Sequence, residues 1–258
     1  MVPDHSWCHF RIFMKKQPVL FLLLLFLILI CSSCNLFPAE SSQDINTLGQ
    51  VNQTEQPDQT EVKLEKNDWS NIWIENANQS EKPRILFVGD SITEGYYPFI
   101  MDYLSQDFSL GYYVTSKFIG NPDYQTELTT ILDRYDFEII HINNGLHGWD
   151  YSIQEYQKGL EDVKRIMDDH APNSLLIWCM TTPIRVEENL EYLDKLNQDV
   201  ILRNQAALEI LGENGVIIND LYQEMLKHPE YYRDGYHFNS AGKEFQAKVV
   251  GEFILAYH

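Results

Sequence analysis

The chain is short of positive charge: 19 Lys and Arg stand against 38 Asp and Glu, a formal net charge of −19. So acidic a surface repels phosphate backbones and anionic headgroups, which argues against nucleic acid or an anionic membrane surface as an electrostatic partner. Cysteine is scarce too, at four in 258 residues. Cys8 and Cys31 fall in an N-terminal segment expected to be removed, Cys34 at its end is expected to carry lipid, and Cys179 lies in a strand-like stretch, so no disulfide framework is available. There is no H-E-x-x-H pair, no carboxylate cluster with two-metal spacing and no glycine-rich phosphate loop. These absences set aside metal-dependent and nucleotide-binding chemistry, and neither a metal nor another cofactor is expected.

One long apolar run is present, Val19 to Ile30, with Lys15 and Lys16 before it. That is the basic and apolar pattern of a secretory signal, short for a membrane span; an uncleaved anchor helix is the alternative. Ser32 and Ser33 lead into Cys34, as at the cleavage and lipidation site of a bacterial lipoprotein. Residues 1–34 are therefore read as a lipoprotein-type signal peptide, with Met14 as an alternative start, and Cys34 as the anchor of an extracytoplasmic, membrane-tethered protein. Residues 35–80 are polar and read as a flexible linker. Trp69, Ile72 and Trp73 interrupt it and are expected to pack on the domain that follows.

From residue 81 to 258 strand-like and helix-like stretches alternate. Strands are predicted at 85–89, 112–119, 137–143, 174–180 and 216–219, and helices at 92–108, 124–135, 153–169, 190–211 and 241–257. Strict alternation implies an α/β fold, a three-layer α/β/α sandwich on a five-stranded parallel sheet. Ligands of such sheets bind outside the carboxyl ends of the strands.

Two motifs fall at those ends. The first strand runs straight into Asp90-Ser91-Ile92-Thr93, and near the C-terminus stands Asp234-Gly235-Tyr236-His237-Phe238-Asn239. Taken alone, Ser91 reads first as the N-cap of the next helix, with Glu94 completing a capping box. The pattern is not a G-x-S-x-G elbow, since Thr93 takes the place of the second glycine. Together, GDSIT early and DGYHFN late resemble the SGNH hydrolases, also called the GDSL esterase and lipase family, over roughly the last two-thirds of the chain. The resemblance implies a flavodoxin-like sandwich and a catalytic triad of Ser91, Asp234 and His237. A serine hydroxyl needs a base within hydrogen-bond reach, which His237 can supply, and an acid to orient that base, which Asp234 can supply.

The resemblance also implies oxyanion donors: the Ser91 N–H, a glycine N–H after the second strand, and an asparagine side chain after the third. Gly120 matches the glycine by position. Where the family has G-x-N-D, this chain reads Asn143-Asn144-Gly145-Leu146-His147-Gly148. Aligning the glycine puts His147 in the asparagine's place, and an imidazole N–H can donate; Asn144 is the second candidate. His141, inside a strand, reads as a core residue, and His228 as an exposed one.

The activity implied is hydrolysis of a carboxylic ester through an acyl-serine, on small esters or O-acetyl groups of glycans. Two other readings stay open: a glycan or cell-surface binding module whose altered third motif marks lost catalysis, and an O-acyltransferase.

Overall fold

The computed structural model describes residues 62–79 and 81–258. The apolar run, Cys34 and the first part of the linker lie outside the described residues. In chain order the elements are β1 (Ser70–Ile74), β2 (Arg84–Gly89), α1 (Ser91–Leu104), β3 (Ser109–Thr115), α2 (Pro122–Arg134), β4 (Ile139–Ile142) and α3 (Ile153–His170). There follow β5 (Leu175–Cys179), β6 (Arg185–Val186), β7 (Asn189–Leu193), α4 (Asn197–Ala207), β8 (Ile217–Asn219), α5 (Leu221–Leu226) and α6 (Ser240–Leu255).

Among the described residues the main sheet has six strands in the order β1-β3-β2-β4-β5-β8. From β3 to β8 all neighbours are parallel. β2 lies inside this array, and its Ile85, Leu86, Phe87 and Val88 are wholly buried. That is why these residues form an unbroken apolar run, since both faces of the strand are covered. Each such side chain contributes about 1.5–3 kcal/mol by leaving water. The parallel order aligns the carboxyl ends of β2, β3, β4, β5 and β8 along one edge, so the segments after Gly89, Thr115, Ile142, Cys179 and Asn219 emerge together.

Two expectations need correction. The sheet has a sixth strand, β1, which lies inside the expected linker and pairs antiparallel with β3, Ser70 facing Thr115 and Ile74 facing Gly111. Of its apolar side chains Ile74 packs against the core, whereas Ile72 is 50% and Trp73 59% exposed, so burial is not the main thing that holds it. Backbone pairing with β3 does so, continued by the Ser116 N–H on the Trp69 carbonyl at 3.1 Å and the Glu75 N–H on the Leu110 carbonyl at 3.0 Å. Side chains add to it, with the Trp69 N–H on Ser116 Oγ at 3.0 Å and Ser70 Oγ on Glu127 Oε2 at 2.7 Å. An edge strand buries little, so its sequence carries no alternating signal to read.

The long helix expected at 190–211 is also divided. Asn189–Leu193 pairs with Arg185–Val186 as a small antiparallel hairpin, and helix begins only at Asn197. Asp194 makes the break: its Oδ1 accepts the Leu196 N–H at 2.8 Å and its carbonyl the Asn197 N–H at 3.0 Å. The helix then closes in a π-turn, Leu208–Gly212.

Candidate active site

The turn from β2 into α1 places Ser91. Asp90 is the N-cap of α1, and its Oδ1 accepts the Ile92 N–H at 2.9 Å. Ser91 is thus the first helical residue, and its hydroxyl is left free of the capping task. Glu94 closes no capping box and instead accepts from Asn71 Nδ2 at 3.2 Å. Gly89 is required by close approach, because a Cβ there would meet Thr93 Oγ1 at 2.1 Å.

The Ser91 hydroxyl points to the other motif. Ser91 Oγ lies 3.1 Å from His237 Nε2, and His237 Nδ1 lies 3.1 and 3.2 Å from the two Asp234 oxygens. The turn that carries Asp234 and His237 is closed by a bridge between Tyr232 and Phe238 and by the Arg233 N–H on the His237 carbonyl at 2.8 Å. Gly235 sits against β6, and a Cβ there would come within 2.5 Å of the Arg185 carbonyl oxygen. Close packing, not a left-handed backbone, is therefore its requirement.

Asp234 is held as an anion. Burial by itself would raise its carboxyl. The N–H groups of His237 and Tyr236 on Oδ1 and the Arg233 guanidinium on Oδ2 outweigh that effect and bring it down to about 2. At neutral pH a carboxylate so placed accepts the Nδ1–H and leaves Nε2 with a lone pair toward Ser91.

The three remaining oxyanion candidates are not joined to this group by any hydrogen bond among the described residues. Gly120 lies in the β3–α2 loop, against α3: a Cβ on Gly159 would come within 2.9 Å of the Gly120 nitrogen. Asn144 is 1% exposed and donates from Nδ2 to the Lys117 carbonyl at 2.9 Å, tying the loop after β4 to the loop after β3. Its own carbonyl accepts from the Tyr156 hydroxyl. His147 is partly exposed, with Nδ1 3.6 Å from Glu65 Oε1.

Two residues of this region escaped the sequence reading. Glu65, in the expected linker, accepts the Gly148 N–H at 2.6 Å beside His147. Arg203 of α4 is 4% exposed and donates to the carbonyls of Gly145, His147 and Gly148 at 3.0, 2.7 and 2.6 Å, with its guanidinium over the Trp149 ring. It thereby fixes the whole loop that carries His147. A signal for it existed: Arg203 falls three residues after Val200 and four before Ala207, both fully buried, so a cation occupies the apolar face of its helix.

His141 is a core residue, as expected, though incompletely satisfied. Its Nε2 lies 3.2 Å from Asn219 Nδ2, its Nδ1 has no partner, and burial holds the imidazole down at about 3. Most of the aromatic residues near the site are packing elements. Tyr96 is 1% exposed, Tyr232 donates to the Pro183 carbonyl at 2.9 Å, and Tyr151 stacks on Phe118 at 4.1 Å.

No protein-family model matches the chain, and no curated protein does. Solved structures do. The chain is similar to an acetyl xylan esterase, AlAXEase, at a TM-score of 0.54 and 17% identity, over 66% of this chain and 99% of that one. It is similar to the lipase/acylhydrolase from Enterococcus faecalis at 0.54 and 14%, over 67% and 95% of the two chains. A GDSL-like lipase from Bacteroides thetaiotaomicron aligns at 0.53 and 17%, over 71% and 95%. Identities this low speak for architecture, and on that ground the chain has the fold of the SGNH, or GDSL-like, hydrolases.

Proposed function

We propose that this chain is a serine-dependent hydrolase of carboxylic esters, working through an acyl-serine. The observation that carries the reading is Ser91 Oγ at 3.1 Å from His237 Nε2, with both Asp234 oxygens behind His237 Nδ1. In the first half-reaction Ser91 Oγ attacks the ester carbonyl while His237 Nε2 takes its proton. Asp234, ionised at neutral pH, stabilises the imidazolium that forms. His237 then returns the proton to the leaving alkoxide and, in the second half-reaction, takes one from the water that cleaves the acyl-serine.

The developing oxyanion is given to the Ser91 N–H at the start of α1, the Gly120 N–H and a His147 ring N–H. Asn144 ranks below His147, because its amide already serves the Lys117 carbonyl. The substrates suggested are O-acetyl groups of glycans or small esters, a reading supported by the fold shared with an acetyl xylan esterase. A lipid on Cys34 would hold the domain outside the cytoplasm, a reading that rests on the run Val19 to Ile30 and the residues after it. Cys34→Ala that is processed and retained on membranes like the parent would overturn it.

An alkyl fluorophosphonate tests the nucleophile. The folded protein should be labelled at Ser91, Ser91→Ala should abolish labelling, and His237→Ala should suppress it. Folded protein that ignores the probe would refute the proposal.

A further inference from the structure

A cavity of about 40 Å³ opens directly beside the Ser91–His237 pair. One water needs about 10–15 Å³, so there is room for a small polar group and not for an acyl chain. Three polar side chains join Ser91 and His237 in its wall: Arg233, Lys243 and Gln246.

Gln246 is the anomaly. It is fully buried, and neither its Nε2 nor its Oε1 has a hydrogen-bond partner. Buried amides are nearly always satisfied, so an unsatisfied one lining a cavity needs a partner there, which a polar group of a ligand or a water can supply. Lys243 is the second oddity. It lies in the first turn of α6, where the helix dipole disfavours a cation, and no acidic residue occupies that turn to offset it. Its stem lies along Gly95 of α1, where an added Cβ would meet Lys243 Cε at 3.2 Å. It takes part in no ion pair among the described residues. Arg233 adds a guanidinium, of which Nε and Nη2 are engaged by Asp234 Oδ2. Ser91 and Ile92 of the first turn of α1 border the same cavity. With Arg233 met by Asp234, Lys243 is the cation of this wall that no carboxylate among the described residues pairs, and in a chain with 38 acidic residues and 19 basic ones a lysine so placed beside Ser91 calls for an anion.

We infer that this cavity is a carboxylate subsite, in which Lys243 and Gln246 hold an anionic oxygen of the substrate next to its scissile ester. The inference rests on the ester-hydrolase reading for its orientation toward Ser91, and it narrows the substrate to an ester that carries a carboxylate. That carboxylate sits either on the acyl side, as in the half-ester of a dicarboxylic acid, or on the alcohol side, as in an acylated hydroxy acid or acidic sugar.

Binding and turnover test it separately. Ser91→Ala protein is titrated calorimetrically with glutarate and with neutral glutaramide. Glutarate should bind and glutaramide should not, and adding Lys243→Met should weaken glutarate at least tenfold; Gln246→Met serves as a second variant. Wild type is then assayed on 4-nitrophenyl acetate, mono-4-nitrophenyl glutarate and O-acetyl-lactate. One charged ester should be preferred about tenfold in kcat/KM, naming the side of the ester that carries the carboxylate, and Lys243→Met should erase the preference. Neutral ester cleaved without charge preference, together with no glutarate binding, overturns the subsite and leaves the hydrolase. Glutarate bound through Lys243 with no ester cleaved supports the subsite and refutes the hydrolase. Glutarate binding that Lys243→Met leaves untouched overturns the subsite.

Discussion

Asp90 Oδ1 accepts the Ile92 N–H at 2.9 Å, and by doing so releases Ser91 from the end of its own helix. Ser91 Oγ then belongs wholly to His237. The sequence admits a capping reading of Ser91, and the structure gives that bond to its neighbour Asp90 instead.

The cap has a measurable worth. Asn accepts from the same position as Asp, whereas Ala cannot, and losing a cap costs about 1 kcal/mol. Asp90→Ala should therefore be about 1 kcal/mol less stable than Asp90→Asn in urea unfolding. Equal midpoints and slopes for the two variants would show that the Ile92 N–H is not held by this side chain.

Asp234 is predicted to act on rate more than on binding. Asp234→Asn keeps the shape but offers His237 Nδ1 an amide, so the wrong tautomer is favoured. Turnover should fall by roughly 10³–10⁴ with little change in KM. Steady-state kinetics on 4-nitrophenyl acetate read this directly; a loss below tenfold would remove Asp234 from the catalytic group.

The loop after β4 separates two roles. His147→Ala should lower turnover by about 10²–10³, and His147→Asn should recover part of it, because an amide can donate from a similar place. Asn144→Ala should act mainly on stability, since it cuts the bond to the Lys117 carbonyl and leaves that group to find another donor. Crippled turnover in Asn144→Ala beside a silent His147→Ala would reverse the assignment.

His141 predicts an acid limb of stability. Its folded value, about 3, lies below the ordinary histidine value of 6.5 because burial disfavours the charged ring. Between those two pH values the unfolded chain binds a proton that the folded protein refuses. Stability from this group is therefore complete above about pH 6.5 and declines as pH falls toward 3, by up to about 1.4 kcal/mol per pH unit. Urea unfolding from pH 7 to 4 should show this slope, and His141→Gln should flatten it. An unchanged slope in that variant would assign the acid limb to other groups.

How far the sequence reaches is visible element by element. It determined β2, because a strand covered on both faces must be apolar along its whole length. It also singled out Ser91, Asp234 and His237, from two motifs standing in a recognisable order, and the structure brings those three side chains within hydrogen-bond distance of one another. It did not disclose β1, whose pairing uses backbone groups that every residue possesses, nor the hairpin of β6 and β7, where Asp194 stops a helical pattern that composition alone continues. Only the tertiary structure decided that Asp90 and not Ser91 caps α1, since a capping bond depends on backbone angles and not on residue type. Arg203 and Glu65 meet the loop of His147 from α4 and from the segment before β1, far apart in the chain. Such contacts follow from the parallel sheet, which gathers separate strand ends at one edge and lets distant side chains serve one site.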